Sequence, residues 1–129
     1  MALTKNARTL VASAANTAGS TTRGTIDLNA VQGPSVLTFK ITNGGTGPTV
    51  QCTAKVMIAH NSTLPTAGAE GTDWKVLFPA VGPGTAASAS LARSYTIPAA
   101  VMCLEIEFTG NTGQSVTVEA YMSEFTSVS

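Results

Sequence analysis

Between its turn clusters the chain alternates apolar and polar residues with a period of two, the pattern of strands that bury one face. Ser35–Thr42 shows it most cleanly: Leu37, Phe39 and Ile41 point one way, and Thr38, Lys40 and Thr42 the other. Gly44-Gly45-Thr46-Gly47-Pro48 interrupts the pattern. Val50–Ala59 resumes it, with Val50, Cys52, Ala54, Val56 and Ile58 opposite Gln51, Thr53 and Lys55. These two segments read as a hairpin. Val101–Thr109 sets Leu104, Ile106 and Phe108 inward against Glu105 and Glu107. Gln114–Phe125 sets Val116, Val118, Ala120 and Met122 inward against Thr117, Glu119 and Tyr121. The short link Gly110-Asn111-Thr112-Gly113, made of residues that tolerate positive φ, joins them as a second hairpin. Fainter strands are expected at Arg8–Ala14, Thr22–Leu28, Asp73–Pro79 and Ser90–Ile97.

About eight short strands with no sustained helical stripe predict an all-β fold, an antiparallel two-sheet β-sandwich. A jelly roll and an immunoglobulin-like Greek key both fit that count. Cys52, Trp74 and Cys103 are not read as the Cys…Trp…Cys framework of true immunoglobulin domains, which favours the jelly roll. A length of 129 residues suits a single domain, residues 1–129, with one core. Residues 1–21, rich in Ala, Ser and Thr from Ala14 onward, read either as a flexible or partner-contacting arm or as another loop. Asn61–Thr72 and Ala80–Ala89 are longer than a hairpin needs, and long loops on a rigid sandwich are where partner contacts usually lie.

Composition narrows the function classes. Only 11% of residues are charged, with seven basic side chains balancing seven acidic ones. Nucleic-acid binding draws most of its affinity from clustered Lys and Arg, and here Lys5, Arg8, Arg23, Lys40, Lys55, Lys75 and Arg93 are dispersed, so no nucleic-acid partner is expected. Scarce surface charge weakens repulsion between copies and favours a subunit packed against others. No stretch approaches the roughly 20 apolar residues that span a bilayer, so no membrane partner is expected either. Met1–Arg8 carries no apolar segment after its basic residues, which predicts no signal peptide and folding in the cytoplasm.

Candidate chemistry is thin. His60, the single histidine, has only Asn61, Ser62 and Thr63 near it in sequence, which supply neither an orienting acid nor a metal-ligand cluster. Glu105, Glu107 and Glu119 invite comparison with a glycosidase acid pair, but such carboxylates must face each other across a cleft. Glu105 and Glu107 share one strand face instead and read as a solvated surface; if a neighbouring subunit met that face, they would pair with Lys or Arg. Cys52 falls on the inward parity and Cys103 on the outward, which predicts free thiols. Asn61-Ser62-Thr63 matches a glycosylation sequon, taken as chance without a signal peptide. Trp74 reads as a core or interface anchor. The expectation is no enzyme, no catalytic residue, no cofactor and no metal.

The strings Ala2-Leu3-Thr4-Lys5-Asn6-Ala7-Arg8-Thr9-Leu10-Val11, Ile41-Thr42-Asn43-Gly44, Ala59-His60-Asn61-Ser62-Thr63-Leu64-Pro65 and Glu107-Phe108-Thr109-Gly110-Asn111-Thr112 resemble small virion proteins of tailed bacteriophages. The likeness extends over most of the chain in general character, which is compact, charge-poor and rich in Thr and Ala. It implies a jelly-roll decoration (cement) protein on the capsid exterior, in contact with the major capsid protein or other virion proteins. Such proteins often cluster as trimers, so a homo-oligomer in the virion is expected. A head-fibre or tail-fibre module binding a host glycan is the alternative. Exposed, clustered aromatics would mark the glycan module, and a broad apolar or Thr-rich face would mark assembly.

Overall fold

The computed structural model describes residues 3–68 and 71–128. Eight strands run in chain order: β1 (Leu3–Asn16), β2 (Thr22–Asp27), β3 (Ser35–Asn43), β4 (Thr53–Ala59), β5 (Lys75–Val81), β6 (Ser90–Ile97), β7 (Cys103–Thr109) and β8 (Val116–Val128). They form two four-stranded antiparallel sheets, β1-β8-β3-β6 (sheet A) and β2-β7-β4-β5 (sheet B). Pairing is nested, with β1 on β8, β2 on β7, β3 on β6 and β4 on β5, the rolled-up ribbon of a jelly roll. No helix among the described residues is long and apolar enough to cross a membrane.

Both hairpins expected from the sequence are absent. β3 and β4 lie in opposite sheets, as do β7 and β8, and only β4–β5 joins neighbours in one sheet. Period two reports that a strand buries one face, and in a sandwich every strand does so whichever sheet it joins. The residues read as an arm or loop are largely strand. Leu3–Asn16 pairs along β8 from Leu3 opposite Val128 to Asn16 opposite Val116, so the last strand of the ribbon is covered on its outer edge.

The inward sets meet as expected. Leu37, Phe39 and Ile41 from sheet A and Ala54, Val56, Leu104, Ile106 and Phe108 from sheet B are buried in one cluster, with Val116, Val118, Ala120 and Met122. Val50 is the exception: it precedes β4, touches Thr112 through an isolated bridge and stays exposed. Ile58 is half-buried. The two open sides of the sandwich close differently. At the β1/β2 side a side chain at Gly24 would bring its Cβ within 2.7 Å of the Leu10 carbonyl oxygen, so the backbones approach as only glycine permits. At the β5/β6 side Phe78 and Tyr95 stack with centroids 4.0 Å apart.

Cys52 and Cys103 are free and buried, one in the inter-sheet core and one on the outer side of sheet B, as their parities indicated. Burial pushes the Cys52 thiol up to about 11. Cys103 is raised too, by burial and by the charge of Asp27. A raised value in the fold means the neutral thiol is favoured there. The associated stability is therefore complete below the ordinary value of 9.0 and is lost as pH climbs toward about 11. Thiol titration is expected to find both groups silent in the folded protein at neutral pH and both reactive once it is unfolded. Denaturant melts should show an alkaline decline that flattens in Cys52→Ala; a native protein that labels at once would overturn this.

Candidate assembly surface

The outer faces of the two sheets differ. On sheet B, pairing places Arg23 opposite Glu107 and Lys55 opposite Glu107 from the other side, one row across β2, β7 and β4. The Arg23 guanidinium bridges both acids, with Nη1 donating to Glu105 Oε1 at 2.7 Å and also to Glu107 Oε2. Lys55 Nζ lies 3.6 Å from Glu107 Oε1. Partial burial works against the charge of Arg23, but bonding to Glu105 and the charge of Glu107 outweigh it and hold the group above its ordinary range.

These acids are not the solvated pair expected from the sequence. Glu105 is fully buried and Glu107 is 6% exposed. The connection after β4 lies over them. Gly68, at φ 81°, donates its N–H to Glu105 Oε2 at 3.0 Å. Trp74 anchors the same connection, its Nε1 donating to the Thr66 carbonyl at 2.9 Å while its ring packs on Met57, Ala59 and Cys103. The glutamates thus pair with basic residues of their own chain, as a subunit contact would have required of a neighbour. Alternation told which face they share and could not tell that a loop covers it. Arg23 was missed altogether; its outward parity on β2 was the available signal, and its value emerges only once β2 is known to border β7.

His60 is exposed at the end of β4, and no described residue orients it. Asn61 instead serves the loop, donating to Asp73 Oδ1 at 3.3 Å and accepting from the Cys103 thiol at 3.3 Å. Among the described residues no three His, Cys, Asp or Glu side chains gather where they could hold a metal. At one end of the sandwich Glu124 is buried, taking Arg8 Nη1 at 3.0 Å.

Sheet A carries no such cover. The residues that alternate with its core set line up in rows across β1, β8, β3 and β6: Ala7, Ser123, Val36 and Thr96, then Thr9, Tyr121, Thr38 and Ser94. Glu119, Lys40 and Ala92 make the next row, and Ala15, Thr117, Thr42 and Ser90 the last. Thr38 and Ser94 share a hydroxyl hydrogen bond of 2.7 Å. Val36 and Tyr121 are 46% and 41% exposed, which makes them the large apolar contributors to a face otherwise built of small side chains and hydroxyls. A groove of about 370 Å³ at one end is lined by Lys5, Pro34, Val36, Ser123, Glu124 and Phe125.

No family model matches the sequence, and no curated protein does. Solved structures do match in shape. A structure of infectious bursal disease virus, Gx strain, superposes with a TM-score of 0.56 at 12% identity, covering 95% of this chain and 32% of that one. The VP2 subviral particle of the same virus gives 0.53 at 11% identity, again over 95% and 32%. The K2 cleaved adhesin domain of Lys-gingipain gives 0.52 at 17% identity, over 92% of this chain and 72% of that one. This chain spans about a third of the length of the viral chains it matches. At these identities the likeness is one of fold, and the fold is the eight-stranded jelly roll that the strand order describes.

Proposed function

We propose that this chain is a structural virion protein, a capsid decoration (cement) subunit of a tailed bacteriophage that braces the head by contact and catalyses nothing. The observation that carries this reading is the difference between the two sheet faces. On sheet B the chain's own loop covers Glu105 and the Met57, Ala59 and Cys103 patch, while sheet A presents a broad Thr/Ser/Ala face of the kind that assembly calls for. A face poor in charge and long flexible side chains loses little desolvation energy or rotamer entropy when another protein covers it. The phage-like strings in the sequence and the shared fold with VP2, which forms a subviral particle, support the same reading. The glycan-binding alternative loses ground on its own criterion. Trp74, Phe39 and Phe108 are buried, Phe78, Tyr95 and Phe125 are half-buried, and Tyr121 stands as the exposed aromatic.

Heads assembled without this protein are expected to form shells of normal size that release DNA at a lower temperature, and purified protein added back should restore the parent transition. Shells that fail to form, or a protein that labels only the tail tip, would overturn the decoration role. A stable monomer that binds a defined sugar at micromolar affinity would promote the glycan module.

A further inference from the structure

The proposed role leaves open what covers sheet A, and the centre of that face answers it. Lys40 on β3 and Glu119 on β8 are direct cross-strand partners. They do not pair. Tyr121 donates its hydroxyl to Glu119 Oε2 at 2.8 Å and draws the carboxylate along its own strand, and Lys40 has no ion-pair partner among the described residues. A cation without an ion-pair partner and a carboxylate held by its own strand therefore sit side by side on the two central strands.

We infer that the occupant is a second copy of this chain, packed face to face about a two-fold axis that runs along the strands midway between β3 and β8. This rests on the assembly reading and names the partner of that surface. Such an axis lays β3 of one copy over β8 of the other, so Lys40 meets the partner's Glu119 and Glu119 meets the partner's Lys40. The contact is self-complementary, as a two-fold interface must be. Thr38 lies over the partner's Tyr121 and Val36 over the partner's Ser123, large against small in each case. The aligned packing also suits two twisted sheets. Four strands about 4.8 Å apart and about seven residues long give a face that buries on the order of 900 Å² in total. That is below the roughly 1,200 Å² of a standard stable interface, so the pair is weak in free solution and gains strength when many copies are held on a lattice.

Sedimentation equilibrium tests the pairing. The parent is expected to shift from monomer to dimer as concentration rises, more weakly at high salt. Lys40→Glu makes the centre of the face doubly acidic and Glu119→Lys makes it doubly basic. Each alone is expected to dimerise at least tenfold more weakly than the parent, while an equimolar mixture recovers a dimer, because each acidic face then meets a basic one. Thermal melts of the dilute variants confirm folding. Single variants that dimerise like the parent, a mixture of folded variants that stays monomeric, or a parent that runs as monomer or trimer throughout would each overturn the two-fold contact. A monomer that still binds heads would leave the decoration role standing without the pairing. A dimer that ignores heads would do the reverse.

Discussion

Replacing Arg23 with Met is expected to lower stability by about 1–3 kcal/mol, the cost of leaving buried polar groups without their partner, since Arg23 itself is partly open to solvent and only the carboxylates are buried. The cost comes from what remains. Glu105 has no exposure and Glu107 almost none, so the variant keeps two carboxylates under the loop with Lys55, 3.6 Å from Glu107, as the cation nearby. The loop is affected with them, because Gly68 donates to Glu105 and Trp74 holds the far side of the same connection. Urea unfolding followed by Trp74 fluorescence reads both the global loss and any early local change. Adding Glu105→Gln and Glu107→Gln to Arg23→Met should recover much of the loss, since neutral groups in a buried site escape the desolvation penalty. An Arg23→Met protein within 1 kcal/mol of the parent would mean that water reaches these acids freely.

Phe108→Ala is expected to cost more, about 3–5 kcal/mol, through lost transfer energy plus a cavity. Phe108 is fully buried on β7, the strand flanked by β2 and β4, and its ring meets Phe39 from the other sheet edge-on at 6.2 Å. Truncation removes contacts on both sides of the inter-sheet core, where the rigid sheets cannot collapse to fill the gap. Against a typical total of 5–15 kcal/mol this removes a large share of the stability. Val76→Ala makes the control, because Val76 is 49% exposed on edge strand β5 and should stay within about 0.5 kcal/mol. If the two variants melt alike, the inward assignment on β7 is wrong by one residue.

Much of this fold is legible in the alternation itself. Leu37, Phe39, Ile106 and Phe108 could be placed inside because each is separated from the next by a polar neighbour, and the parities of Cys52 and Cys103 separated two thiols that share a burial class. Partner choice was not legible. A strand such as β3 carries the same pattern whether its neighbour is the next segment or one that arrives 70 residues later, because alternation encodes a face and leaves the edge unspecified. The candidate surface fared similarly. Thr38, Lys40, Glu119 and Tyr121 were each assigned outward, but their meeting on one face needs the adjacency of β3 and β8, and the cover over Glu105 comes from a loop with no periodicity to read.

The nested strand order also dictates when the molecule can become itself. β8 lies between β1 and β3, and β7 between β2 and β4, so the middle of each sheet is filled by the end of the chain. Val11 must wait for Ala120, and at about 5–20 residues per second that delay is on the order of 5–20 s during synthesis. Through that interval β1 to β6 have lost no edge except those of the β3–β6 and β4–β5 pairs, and they present apolar strands with few charges to discourage wrong partners. Nonlocal pairing of this kind also folds slowly once complete. The nascent chain is thus open to wrong pairing in a way the finished fold is not, and slowing elongation at constant temperature should lower the soluble yield.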